Sequence, residues 1–369
     1  MQNRLWSGVY AVILFSLCVV ANARLQADTE RNLEKTFKVG AGGKLVMDVD
    51  RGSIDITTSE TDKVEIHVFR KVTRGTEAEA EKIVANHEVT FRQDGNEVSV
   101  HARRLTDLST WKFWSPNLQV RYEVSIPRKF NVDTKTAGGS IKVGDLAGEI
   151  RAQTAGGSIK AGATEGVVWA RTSGGSIQVA SCESSVDVQT AGGSIKFGSI
   201  KGEAKGRTSG GSIDVDEGKA SIDVQTAGGS IRIGTGGGTV RASTSGGSIH
   251  IKRAAGNIIA HTAAGGIEVG EACQSIEGRT SGGSIKVGLT SSPTEDCRLE
   301  TAAGNIDLFV PANISAELDA KTSAGSVSTD LPIKVQGEMK RSALVGKLGE
   351  GGKLLKLRTS GGSIHLKKS

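Results

Sequence analysis

Isoleucine recurs every 18 residues through the middle of this chain. The column runs without a gap through nine copies: Ile141, Ile159, Ile177, Ile195, Ile213, Ile231, Ile249, Ile267 and Ile285. A second position, two residues after each isoleucine, is apolar in every copy. Side chains two apart on a strand share one face, so the pattern predicts a short strand with one buried stripe in each repeat.

A second apolar stripe lies half a repeat away from the first. Its members are Ile150, Val168, Val186, Ala204, Ile222, Val240, Ile258 and Ile276. Each unit of 18 residues therefore holds two short strands, and such a unit cannot bury its apolar side alone. Stacking coil on coil joins the stripes into one core, which predicts an all-β fold, a single-chain β-solenoid (β-helix) of 18-residue coils.

The turn between the two strands also repeats. Glycine occupies the position of Gly139 in every copy and that of Gly138 in all but one, where Ala264 stands. Glycine adopts positive φ and lets successive corners stack closely. The threonine at the position of Thr136 recurs in every copy and is expected to form hydroxyl hydrogen bonds at the corner. An ice-binding array is the alternative, but it needs two outward threonines per coil and only one is regular.

The N-terminus has the pattern of an export signal, assigned to residues 1–23. Arg4 precedes the apolar run Leu5–Val20, and Ala21 and Ala23 form a small-x-small cleavage site. A retained membrane anchor is the alternative, although the run is shorter than the roughly 20 residues that a span needs. The predicted location is the periplasm, the cell surface or the medium, with no membrane span after cleavage.

The rest of the chain divides into three regions. Residues 24–135 are predicted to form a β-rich cap with one helix at about 76–87, and residues 136–288 form the regular array. Residues 289–369 are predicted to form irregular C-terminal coils and a cap, and a last copy of the motif occurs at 358–364. Caps are expected because a bare terminal coil exposes unpaired strand edges.

Composition excludes several classes of protein. Glycine accounts for 50 of 369 residues, but proline for only 5, which excludes collagen, and 37% of the chain is apolar, which excludes disorder. The net charge is +6, and basic residues are interleaved with acidic ones. Nucleic acid is therefore not a predicted partner.

Four features together resemble a known family. They are the motif Thr-(Ala/Ser)-Gly-Gly-Ser-Ile, the strand end Val124-Ser125-Ile126-Pro127, the predicted export signal, and a closing segment at 351–364 that contains a final Ser-Gly-Gly-Ser-Ile. This combination resembles the bacterial "putative adhesin" family, whose members are β-strand-repeat proteins of unknown function. The resemblance covers roughly residues 36–369, implies an exported β-solenoid, and brings no catalytic residues with it.

Motifs that carry chemistry are not found in the sequence. The six histidines lack metal-ligand spacing, the cysteines form no CxxC, and the Gly-Gly pairs precede Ser-Ile instead of the Asp that calcium-binding nonapeptides require. We therefore predict no catalytic residue, cofactor or metal. The predicted function is that of an exported non-catalytic structural or adhesin-like protein, whose rigid rod presents side chains to a cell-surface glycan or protein. An enzyme or binding module acting on envelope or extracellular polysaccharide is the alternative.

Two columns of residues are predicted to point outward from the rod. One is Lys142, Lys160, Gln178, Lys196, Asp214, Arg232, His250, Glu268 and Lys286, and the other is Arg151, Trp169, Asp187, Lys205, Asp223, Arg241, Ile259 and Glu277. From Asp214 onward, charges of opposite sign tend to alternate along the first column, so stacked neighbours can form a charge ladder. Ladders that favour solubility and a face that binds carbohydrate or polyanion remain alternatives.

An aromatic cluster interrupts the polar sequence of the N-terminal region. It consists of Trp111, Phe113 and Trp114. Aromatic side chains in a loop can anchor a partner or a sugar, and they can also cover the open end of a core. We favour a cap for this cluster, with a ligand-binding site as the alternative.

Three cysteines lie outside the predicted signal peptide. Cys182 is five coils from Cys273 and out of reach of a disulfide, so it is expected to be a partly buried free thiol. Cys273 and Cys297 are one coil plus six residues apart, and stacked coils lie within disulfide distance. We predict a Cys273–Cys297 bridge that joins the widened loop to the array, with two unpaired buried thiols as the alternative.

Overall fold

The computed structural model describes residues 29–73, 76–105, 118–336 and 340–369. The predicted signal peptide at 1–23 and the aromatic cluster Trp111, Phe113 and Trp114 lie outside the described residues. Both therefore stay predictions.

Almost every described element is a short strand. The N-terminal elements are β1 (Thr29–Glu30), β2 (Leu33–Lys38), β3 (Gly43–Val49), β4 (Ser53–Ser59), β5 (Lys63–Val72), α1 (Glu77–Ala85), β6 (His87–Asp94), β7 (Glu97–Arg104), β8 (Leu118–Pro127) and β9 (Phe130–Thr136). The regular array contains β10 (Ile141–Val143), β11 (Ile150–Thr154), β12 (Ile159–Thr164), β13 (Val168–Arg171), β14 (Ile177–Cys182), β15 (Val186–Gln189), β16 (Ile195–Ile200), β17 (Ala204–Arg207), β18 (Ile213–Gly218), β19 (Ile222–Gln225), β20 (Ile231–Gly236), β21 (Val240–Ser243), β22 (Ile249–Ala254), β23 (Ile258–His261), β24 (Ile267–Ala272), β25 (Ile276–Thr280) and β26 (Ile285–Leu289). The C-terminal strands are β27 (Cys297–Thr301), β28 (Ile306–Val310), β29 (Ala316–Thr322), β30 (Val327–Thr329), β31 (Ile333–Val335), β32 (Ala343–Leu348), β33 (Leu354–Thr359) and β34 (Ile364–Lys368).

Each coil of the array contributes one strand to each of two long parallel sheets. The even-numbered strands β10 to β26 form sheet A, where Ile141 lies opposite Ile159, and the odd-numbered strands β11 to β25 belong to sheet B, where Ile150 lies opposite Val168. In this register, residues one repeat apart in the sequence lie opposite each other, so equivalent positions of successive coils stack. The structure confirms the predicted β-solenoid with two strands per coil.

The inward faces of both sheets share one hydrophobic core. Ile213 in sheet A and Ile222 in sheet B are almost fully buried, and the same holds throughout both columns. Volume is balanced across the core. Phe197 is a large side chain in sheet A, and a Cβ atom on Gly206 in sheet B would lie 2.9 Å from its ring. The bulkier side chain on one sheet is therefore matched by glycine on the other.

The corner between the two strands is a ladder of hydrogen bonds. The hydroxyl of Thr208 donates to the carbonyl oxygen of Gly193 in the preceding coil at 2.8 Å and accepts from the amide of Gly211 at 3.3 Å. Equivalent bonds recur at the other copies, as at Thr172 and Thr244. The predicted role of the threonine column is confirmed.

Space, and not backbone conformation, explains the corner glycines. None of the motif glycines from Gly138 to Gly283 has a positive φ, so that part of the expectation is wrong. A Cβ atom on Gly157 would lie 2.1 Å from the carbonyl oxygen of Gly139, whereas on Gly156 it would meet nothing closer than 3.7 Å. The column of Gly157, where a side chain has no room, is glycine in every copy. Ala264 belongs to the column of Gly156, where a Cβ atom fits.

The N-terminal coils stack out of chain order. Strand β3 lies between β7 and β9 in sheet B, and β4 lies between β8 and β10 in sheet A, all in parallel. Residues 43–59, which the sequence assigned to a separate cap, therefore form a coil of the solenoid. The sheets continue without a break across the predicted boundary at residue 136, because β9 begins at Phe130.

The C-terminal coils are also out of order. Strand β33 pairs with β27 on one side and β29 on the other, and β34 pairs with β28 and β30. The final copy of the motif, at 358–364, is therefore an interior layer, and the coil that contains Ser326 stacks on it. The last copy along the chain is therefore not the last layer of the rod.

Antiparallel strands cover both ends of the stack. At the N-terminal end β5 pairs with β8, β1 and β2 pair with β5, and β6 pairs with β7. Helix α1 begins after a capping box of Thr76 and Glu79 and buries Ala80 and Val84. At the C-terminal end β32 pairs with β29 and β31 with β32. These strands occupy edges that the outermost coils would otherwise leave open.

Candidate ligand-binding surface

The outward column of sheet A forms ion pairs where its charges alternate. Arg232 lies 3.5 Å from Asp214, and Glu268 lies 3.2 Å from His250 and 3.1 Å from Lys286. The hydrogen bond from Lys286 holds the pKa of the Glu268 carboxyl below its usual value. These groups are solvent-exposed, so each pair stabilises the fold only slightly and serves mainly to fix register.

Trp169 interrupts the corresponding column of sheet B. Its half-buried indole points outward from β13, and the guanidinium carbon of Arg151 on β11 lies 4.2 Å from the ring centroid. The guanidinium carbon of Arg171 lies 4.7 Å from the same centroid. Arg171 is itself held by Asp187, because it donates to the carboxylate and to the carbonyl oxygen of that residue, both at 2.9 Å. The indole is thus fixed against two cations.

A groove of about 440 Å³ opens beside this indole, and we call it the Trp169 groove. Its side chains are Lys44, Asn131, Asp133, Glu149, Arg151, Val167 and Trp169. Val167 is 39% exposed, which is unusual for a large apolar side chain in this protein. The groove therefore combines an aromatic and an aliphatic side chain with an amide, two carboxylates and two cations.

Internal contacts hold several of these groups in place. The Lys44 ammonium lies 3.2 Å from the Asp133 carboxylate, and the side-chain oxygen of Asn131 accepts the amide of Glu149 at 2.9 Å. Arg151 has no acidic partner among the described residues. Its guanidinium is available to an incoming ligand while the ring of Trp169 keeps it in position.

Trp169 was expected in an outward column, but no sequence pattern predicted the groove beside it. Lys44 reaches Asp133 only because β3 pairs with β9 out of chain order, and no local pattern predicts that pairing. The available signal was a single tryptophan in a column of charged residues.

The cysteines do not form the predicted bridge. Cys182, Cys273 and Cys297 are all free. Arg298 lies opposite Glu277, which places Cys297 beside Ile276, three residues beyond Cys273. Cys273 instead accepts, at its carbonyl oxygen, a hydrogen bond of 3.3 Å from the hydroxyl of Ser291. The assumption that the two cysteines stack is therefore wrong, and burial raises the pKa of the Cys182 and Cys297 thiols.

Within residues 29–73, 76–105, 118–336 and 340–369, no three His, Cys, Asp or Glu side chains meet in a group that could hold a metal ion. None of the helices in those ranges is long and apolar enough to cross a membrane.

Comparison with known proteins matches a family model and several solved structures. Two of these are crystal structures of a "putative cell adhesion protein" from Clostridium sporogenes (10% identity, 92% of this chain, 100% of that chain, TM-score 0.22) and a "putative adhesin" from Bacteroides fragilis (12%, 92%, 97%, TM-score 0.29). Scores this low carry no argument about function. A search of curated proteins found no match. The family model described as "Toastrack DUF4097" matches residues 43–367, which confirms the resemblance in the motifs: the chain belongs to the Toastrack DUF4097 family.

Proposed function

We propose that this protein is an exported, non-catalytic surface-interaction protein that binds a glycan in the Trp169 groove. The observation that carries the proposal is the outward indole of Trp169, fixed by Arg151 and Arg171 beside a groove with polar walls. Export rests on the predicted signal peptide at 1–23 and is proposed together with the function.

The chemistry of the groove suits a sugar. A sugar ring presents C–H groups that pack on an apolar surface and hydroxyl groups that need donors and acceptors. Here the apolar surface is Val167 together with the part of the Trp169 indole that Arg151 and Arg171 leave uncovered. Asn131, Asp133 and Arg151 supply both kinds of polar group. Ligand sites typically combine apolar walls with a few such fixed polar groups.

The solenoid supports binding by keeping the surface rigid. Trp169 lies opposite Arg151 and Asp187 in a parallel sheet, so both neighbours are fixed by the backbone register. Side chains that are already ordered lose little conformational entropy when a ligand binds. The rod thus presents a preformed groove.

A glycan and cell-wall array tests this proposal, with purified mature protein scored for both retention and release of products. Trp169→Ala should lower the retention of the bound glycan by at least about tenfold, as expected for a central aromatic contact. Ile259→Ala is the matched control, because Ile259 occupies the same outward column five coils away. That variant should retain the glycan within about twofold of the parent protein.

Three results would contradict the proposal. They are retention of no glycan by the parent protein, equal retention by the parent and Trp169→Ala proteins, and release of glycan products by the parent protein. The last of these would identify an enzyme. Both variants should show the parent circular dichroism spectrum, because both side chains point outward from the core.

A further inference from the structure

A second cleft, of about 720 Å³, lies at the N-terminal end of the rod. It opens where β1, β5 and β8 meet the corner between β3 and β4, and we call it the N-terminal cleft. Its charged and aromatic lining residues are Glu30, Arg51, Phe69, Arg70, Lys71 and Arg121. It shares no lining residue with the Trp169 groove.

The lining of the cleft is strongly cationic. Three basic side chains, Arg51, Lys71 and Arg121, face one carboxylate, Glu30, which lies 3.7 Å from Lys71. Arg121 also lies 3.1 Å from Glu123, which is outside the lining. Arg51 has no ion-pair partner among the described residues. A concave surface with excess positive charge attracts anions and concentrates them.

Arg70 is a buried cation behind the N-terminal cleft. Only 9% of this residue is exposed, and burial lowers the pKa of its guanidinium. Its Nε donates to the carbonyl oxygen of Arg31 at 3.0 Å and its Nη1 donates to that of His87 at 3.5 Å, but no carboxylate in the described chain pairs with it. Because Arg70 alternates with Phe69 and Lys71 along β5, its side chain lies on the buried face of the strand. It therefore adds to the positive potential at the cleft without touching a ligand.

The remaining lining favours an anion that also carries a ring and hydroxyl groups. The guanidinium of Arg121 lies 4.8 Å from the ring centroid of Phe69, which gives a flat surface beside the cations. Asn32, Ser53 and Gln119 supply amide and hydroxyl groups at the same cleft. Guanidinium groups match the planar geometry of a carboxylate, and amides and hydroxyls match sugar hydroxyl groups.

We propose that the N-terminal cleft binds a hexuronate unit of an acidic carbohydrate, with its carboxylate against Arg51 and Arg121 and its ring beside Phe69. This is a second site with a different ligand chemistry, so it goes beyond glycan binding in the Trp169 groove. An acidic polysaccharide bound here would lie against the N-terminal end of the rod.

Isothermal titration of the full mature chain with trigalacturonate tests this proposal. Arg51→Ala should weaken binding by at least about tenfold, because it removes a cation of the cleft that has no internal partner. Arg241→Ala makes the same change of charge at an exposed position of sheet B and should alter the affinity by less than about twofold. Trp169→Ala should leave the titration unchanged, which separates this site from the Trp169 groove.

Neutral and inorganic probes complete the test. Maltotriose, which lacks the carboxylate, should not bind at about 1 mM, and inorganic sulfate should compete only weakly. The proposal is overturned if trigalacturonate does not bind, if Arg241→Ala weakens binding as much as Arg51→Ala does, or if maltotriose binds equally well. Sulfate binding as tight as that of trigalacturonate would overturn the sugar assignment, because it would show a site for a bare anion.

Discussion

The middle of the rod and its two ends are built from the same coil but are ordered differently. From β10 to β26, neighbouring coils in space are neighbours in the chain. At each end the coil nearest the chain terminus moves one layer inward, β3 and β4 at one end and β33 and β34 at the other. The outermost coils, β7 with β8 and β29 with β30, are internal segments of the chain.

This difference shows how one repeat motif can both extend a solenoid and close it. A coil in the middle is held by covalent links to the coils above and below it. A terminal coil has one such link, and placing it between two layers gives it two sheet neighbours as well. The antiparallel strands β5, β6 and β32 then pair with the outermost coils, which reduces the open sheet edge.

We expect the largest loss of stability from alanine substitutions at corner glycines, one in the middle of the rod and one in the last coil. A Cβ atom on Gly157 or on Gly362 would lie 2.1 Å from a carbonyl oxygen of the adjacent layer. Gly157→Ala and Gly362→Ala should each lower the free energy of unfolding by about 1–3 kcal/mol, because the coils cannot separate without breaking sheet hydrogen bonds. Urea unfolding of the two variants measures both effects.

The neighbouring glycines are matched controls. A Cβ atom on Gly156 would have its nearest contact at 3.7 Å and one on Gly361 at 3.5 Å, so Gly156→Ala and Gly361→Ala should stay within about 0.5 kcal/mol of the parent protein. If Gly362→Ala is as mild as Gly361→Ala while Gly157→Ala is severe, the last coil does not lie between two layers.

A smaller effect concerns the free thiols. Cys182 in the middle and Cys297 near the C-terminal end are both buried, whereas Cys273 is half-buried. Iodoacetamide at pH 8 should therefore modify Cys273 first and the other two only after unfolding. Peptide mapping without reduction should then find all three cysteines alkylated, and recovery of a Cys273–Cys297 disulfide peptide would contradict the structure.

The same thiols predict a dependence of stability on pH. Burial raises the folded pKa of Cys182 and Cys297 above the ordinary value of 9.0, so the neutral thiols are favoured in the folded state. The stability that they contribute is complete below pH 9.0 and is lost as the pH rises through the folded pKa. The urea midpoint should fall above that pH, and it should fall less in a Cys182→Ala, Cys297→Ala double variant.

Sequence periodicity predicted the coils because the information is local. The column through Ile213 fixes which side of a strand is buried, and Thr208 with Gly211 fixes the corner. Helix α1 was also predictable, because Thr76 and Glu79 form its capping box. These features depend on residues that lie close together in the chain.

The order of layers at the ends could not be predicted in this way. The copy of the motif at 358–364 matches many others, so the motif does not specify which coil it will stack on. Lys44 enters the Trp169 groove through the same kind of long-range pairing, between β3 and β9. Choosing among such pairings depends on contacts between segments far apart in the sequence, which periodicity does not encode.

Hydrogen exchange of the backbone amides in the full mature chain tests the inserted last coil most directly. Residues 355–359 and 364–366 lie between two layers, so their amides should exchange as slowly as those of β27 and β28, and more slowly than those of β30 and β31. Rapid exchange of residues 355–366, with slow exchange of β29 and β30, would place the last coil at the outside of the stack and contradict the account.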